Sequence, residues 1–115
     1  MKNISIATRR DSNMSFQDFV KATLDYMFKY NLLSDYELIN LQNKNYCKET
    51  FNLDYPLLEK NKDKIKDKSG VNRYWSTYPF NNGEYYACSQ WWRDKLIIYE
   101  PLFEKWIIKI LKYNI

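Results

Sequence analysis

From Phe16 onward the apolar positions fall at Phe16, Phe19, Val20, Leu24, Met27 and Phe28, a spacing that lines one face of a helix. Ser15 stands three residues ahead of Asp18, so the pattern starts a capped helix at about Ser15 and ends it at Asn31. A second start follows at once. Ser34 with Glu37 forms a capping box ahead of Leu38, Ile39 and Leu41, and this short helix ends near Gln42 or Asn43. Tyr46, Cys47, Thr50 and Phe51 then recur at helical spacing and predict a third short helix closed by Asn52. Pro56 suits the first position of a further helical turn that buries Leu57 and Leu58.

Beyond Gly70 the texture changes. Arg73 to Phe80 and Glu84 to Trp92 are rich in aromatic, Thr and small residues, and Asn82-Gly83 between them is a preferred two-residue hairpin turn. That turn puts Tyr74 opposite Trp91 and Tyr78 opposite Ala87, but neither face of the hairpin is cleanly polar. Leu102, Phe103, Trp106, Ile107, Ile110 and Leu111 then mark a C-terminal helix that starts at Pro101, with Lys109 and Lys112 suiting the dipole of its last turn. Arg93 to Glu100 reads equally as helix or as extended chain.

The pattern therefore predicts one α+β domain over residues 1–115. Residues 1–14 form a flexible tail or short strand, 15–60 are helical, 72–92 are a β-hairpin, and 101–113 are the C-terminal helix. Three or four helices followed by a hairpin is the order of a winged-helix domain, with the second and third helices as a helix-turn-helix and the hairpin as the wing. The last helix then covers the open side of the core or pairs with a second copy as a homodimer.

Composition narrows the chemistry more than the fold. The chain of 115 residues has no histidine and two cysteines, Cys47 and Cys88. This excludes Ser-His and Cys-His couples, His-ligated zinc and four-thiolate sites, and it makes the cysteines small core residues. None of the fourteen acids has a lysine two residues on, as many metal-dependent nucleases do, and two glycines leave no phosphate-cradling loop. A non-enzymatic protein without cofactor or metal is expected. No apolar run approaches the ~20 residues of a membrane span, and the N-terminus lacks a signal-peptide core, so a cytoplasmic location is expected.

The net charge of +4 lies wholly in residues 58–115, densest in the EKNKDKIKDK stretch at 59–68. Such an excess fits an anionic partner without requiring one. In a helix-turn-helix the third helix enters the major groove, which makes Asn43, Lys44, Asn45 and Lys48 candidate contacts to double-stranded DNA. Lys62, Lys64 and Arg73 would meet the adjacent backbone. The alternative is that Asn43 and Asn45 merely cap the helix and Lys48 merely solubilises it. The aromatic residues of the hairpin have three readings: core, stacking on unpaired bases, or anchors for a protein partner, with Trp75, Trp91 and Trp92 as the anchors.

YCKETF at 46–51, RYW at 73–75 and CSQWW at 88–92 resemble a small module of bacterial restriction and defence proteins, where it often ends longer polypeptides. The similarity spans roughly Leu33 to Ile107, with an expansion, KLIIYEP, before FEKWI. It implies a compact DNA-associated or assembly module and assigns no catalytic role to its residues. A solitary phage-encoded copy would act as a decoy or inhibitor of a defence complex, and the wider alternative is a protein-interaction module that inhibits or joins a nucleic-acid-processing complex.

Overall fold

The computed structural model describes residues 8–80 and 85–114, with the backbone alone for 76–80. Helix α1 runs Phe16–Lys29; the Ser15 hydroxyl accepts the Asp18 N–H at 3.1 Å, and Asn31, at φ 55°, lies just past the helix end. Helix α2 is Asp35–Asn40, where Ser34 accepts the Glu37 N–H at 3.1 Å. The box is only half made, because the Glu37 carboxylate turns inward to Tyr46 and Trp106. Helix α3 is Lys44–Phe51, begun by Asn43, whose side chain accepts the Tyr46 N–H at 2.9 Å, and closed by Asn52 at φ 62°.

The chain after Pro56 is strand, not helix. Strand β1 (Leu58–Glu59) pairs antiparallel with β3 (Tyr85–Cys88), Leu58 opposite Ala87. The Cys88 N–H donates to the Leu57 carbonyl at 2.8 Å and the Leu58 N–H donates to the Leu41 carbonyl at 3.0 Å, so the extended backbone finds donors and acceptors that a lone helical turn would lack. The lysine-rich stretch is ordered as well. A 3-10 turn spans Lys62–Lys64, and the Asp67 carboxylate accepts the Ser69 and Val71 N–H groups around Gly70, whose φ of 81° the turn requires.

Strand β2 (Tyr74–Phe80) completes a sheet of order β1-β3-β2. Phe80 faces Tyr85 and Pro79 faces Tyr86, the register expected from the Asn82-Gly83 turn, which itself lies outside the described residues. The register then slips, so Tyr74 faces Cys88 instead of Trp91. Strand β3 ends at Cys88, and Trp91 is freed to enter the core.

Helix α4 runs Leu96–Lys112, after a 3-10 turn at Arg93–Lys95, and so begins five residues before Pro101. Pro101 inside it leaves the Ile97 carbonyl without its helical donor, at a residue that is 85% exposed to solvent. Of the expected tail or short strand over 1–14, residues 8–14 form a turn, tied to α4 by Arg10 to Glu100 at 2.9 Å and Arg9 to Glu104 at 3.7 Å, and 1–7 lie outside the described residues.

The core lies between α1, α3, the sheet and α4. Its centre is an edge-to-face aromatic cluster in which Phe16, Phe51, Trp91, Tyr99, Phe103 and Trp106 meet. Helices α1–α3, a three-stranded antiparallel sheet and a long last helix make an α+β architecture compatible with a winged-helix-like fold. No helix among the described residues is long and apolar enough to cross a membrane.

Candidate functional site

The α2–turn–α3 unit separates the expected DNA-facing residues into two groups. Asn43 is the cap of α3 and its side chain is occupied there. Lys44 and Asn45 stand exposed on the first turn, with no side-chain hydrogen bond or ion pair among the described residues. Lys48, one turn on, reaches Asp54 at 2.9 Å, an exposed pair that holds the Asp54 carboxyl below the usual carboxylate range. Lys62 and Lys64 are exposed in their 3-10 turn.

Arg73 is a clamp inside the fold. Its Nε and Nη2 donate to Asp67 Oδ2 at 3.0 and 2.7 Å, its Nη1 donates to Gln90 Oε1 at 2.9 Å, and Tyr55 lies 5.5 Å beneath the guanidinium. Three of the five guanidinium N–H donors are held inside the fold, so Arg73 is first a structural clamp and only its remaining donors could reach a nucleic-acid backbone. The Val71 N–H, followed by Arg73, holds the Asp67 carboxyl below its ordinary value.

The three tryptophans differ in the same way. Trp91 is 3% exposed and its indole N–H donates to the Cys88 carbonyl at 3.0 Å, so it is a core residue and cannot anchor a partner. Trp75 is half-buried beneath the Lys21 ammonium, 4.7 Å from the ring centre. Trp92, at 41%, is the exposed one.

A polar cluster not anticipated from the sequence joins three helices. Glu37 of α2 is 5% exposed; its Oε2 accepts the Tyr46 hydroxyl of α3 at 2.7 Å and the Trp106 indole N–H of α4 at 2.9 Å. Lys109 donates to the Tyr46 oxygen at 3.1 Å and stands 3.9 Å from Glu37. The signal that could have found it is Trp106, since a buried indole N–H needs an acceptor.

The cysteines are buried and chemically quiet. Burial pushes the Cys47 thiol up to about 11 and the Cys88 thiol up to about 12, so neither is a nucleophile near neutral pH. Among the described residues no group of three or more Cys, Asp or Glu could hold a metal ion.

Within YCKETF, RYW and CSQWW, Cys47, Arg73, Gln90 and Trp91 make internal contacts, whereas Lys48, Glu49 and Trp92 are exposed. Comparisons with protein-family models, curated proteins and solved structures return no match to this chain.

Proposed function

We propose that the protein is a non-enzymatic DNA-binding module of helix-turn-helix type, working in the cytoplasm, in which the outer face of α3 approaches the duplex. One observation carries this reading. Lys44, Asn45 and Lys48 share the outward face of the first two turns of α3, the part of a recognition helix that reaches base edges and phosphates. The Lys48–Asp54 pair is exposed, worth at most about 1 kcal/mol, and gives way readily to a phosphate. The exposed Lys62 and Lys64 add to the attraction at longer range.

The test is binding to random duplex DNA at about 50 and about 200 mM salt, where several phosphate contacts cost roughly tenfold or more in affinity. Replacing Lys44 and Lys48 together by alanine is expected to weaken binding and flatten the salt slope. Arg73→Ala, by contrast, is expected to lower the melting temperature with little direct effect on affinity. Unchanged binding by the Lys44/Lys48 variant would remove α3 from the interface.

A second reading rests on Trp92, Ile97 and Ile98, exposed together where α4 begins. They suit a protein-interaction module, an inhibitor or subunit of a defence or nucleic-acid-processing complex, held by contacts that respond weakly to salt.

A further inference from the structure

A groove of about 510 Å³ runs between α3 and α4 and borders the outer face of α3 at Glu49. Leu102 and Trp106 line it, Ile108 stands exposed at its edge, and Glu49 and Thr50 form the α3 wall. Lys105, Lys109 and Lys112, one helical turn apart along α4, stand over it. Lys105 and Lys112 have no ion pair among the described residues, and Glu49 is the one acid on the lining. Tyr113, 81% exposed, closes the far end.

We infer that this groove docks an acidic amphipathic helical segment of a partner protein, with its apolar side on Leu102 and Ile108, above the buried Trp106, and its carboxylates against Lys105, Lys109 and Lys112. The occupant follows from two complementarities. Three lysines against one glutamate call for an anion, and the apolar lining calls for a ligand with apolar side chains beside its charges. A phosphate backbone supplies the first alone. Nucleobases could stack, but Trp106 is 2% exposed and the open ring of the lining, Tyr113, stands at the far end, past the last lysine. The length also fits. Lys105 to Lys112 covers about 10 Å of α4, so an antiparallel or parallel helix of some two turns or more can follow the whole row. The groove adjoins the α3 face assigned to DNA, but its lysines belong to α4 and those of the DNA face to α3, so either reading can fail without the other.

The test uses the full chain and a fluorescein-labelled peptide of about 16 residues, with leucines at i, i+3, i+4 and i+7 spacing and glutamates elsewhere. Saturable binding is expected, weakened about tenfold by Lys105→Ala with Lys112→Ala and by Ile108→Asp. Lys62→Ala with Lys64→Ala, which removes the same charge elsewhere, is expected to leave affinity within about twofold. A peptide with glutamine for every glutamate should bind about tenfold more weakly. Circular dichroism confirms that each variant is folded, as expected for exposed positions. Equal weakening by the two lysine pairs would reduce the effect to net charge and overturn the proposal. So would unaffected binding by Ile108→Asp, or a DNA oligonucleotide whose affinity depends on Lys105 and Lys112 while the peptide's does not.

Discussion

Replacing Trp91 by alanine is expected to destabilise the fold by about 3–5 kcal/mol, whereas Trp92→Ala stays within about 1 kcal/mol. The adjacent residues are chemically identical and differ in what surrounds them. The Trp91 ring lies edge-to-face against Tyr99 at 5.2 Å and Phe16 at 5.3 Å, and contacts Phe51 and Phe103 at 6.1 and 5.9 Å. Its removal opens a cavity at the meeting point of α1, α3 and α4, and it frees the Cys88 carbonyl that the indole N–H satisfies. A domain of this size has a total stability of about 5–15 kcal/mol, so the loss is a large share of it. Urea denaturation of the two variants is the measurement. A Trp91→Ala midpoint equal to that of the parent, or a larger loss for Trp92→Ala, would reverse their positions.

The contrast also shows where the sequence stops being legible. Caps are readable because they are local: Ser15, Ser34 and Asn43 each accept the N–H of the residue three positions on. Strand β1 is not, because its partner Ala87 is far along the chain and Pro56 imitates a helix start. Pro101 misled in the same manner, since a proline five residues into a helix reads as its first residue until the tertiary packing of Tyr99 holds the earlier turn in place. The hairpin register was correct at Phe80–Tyr85 and wrong at Tyr74, three residues of slip that no single-strand pattern records. That slip decided which tryptophan is buried. On the candidate site, charge and helix position singled out Lys44, Asn45 and Lys48, all of which are exposed. What the pattern could not show is that Asp67 and Gln90 consume Arg73, because both partners are set by the turn around Gly70 and the end of β3.

Glu37 provides the second large effect, graded by what replaces it. In Glu37→Leu both the Trp106 N–H and the Tyr46 hydroxyl lose their acceptor, at about 1–3 kcal/mol for each donor left buried and unpaired. A loss of about 2–5 kcal/mol is expected. Glu37→Gln should cost only about 1 kcal/mol, because both donors converge on one oxygen, which an amide carbonyl can replace. Lys109→Met should cost at most about 1 kcal/mol, since its ammonium is half-exposed and 3.9 Å away. Leucine and glutamine variants of equal stability would mean that the carboxylate is not the bolt between α2, α3 and α4. The same cluster sets a pH limit. Burial, and then the bond to Glu37, raise the Tyr46 hydroxyl above its ordinary value of 10.0. A group raised on folding stabilises fully below its unfolded value and loses that contribution as pH climbs towards the folded one. The protein is therefore expected to weaken above about pH 10, and Tyr46→Phe to remove part of that dependence. Melting temperature against pH for parent and Tyr46→Phe checks this, and parallel curves through pH 10–11 would assign the alkaline loss elsewhere.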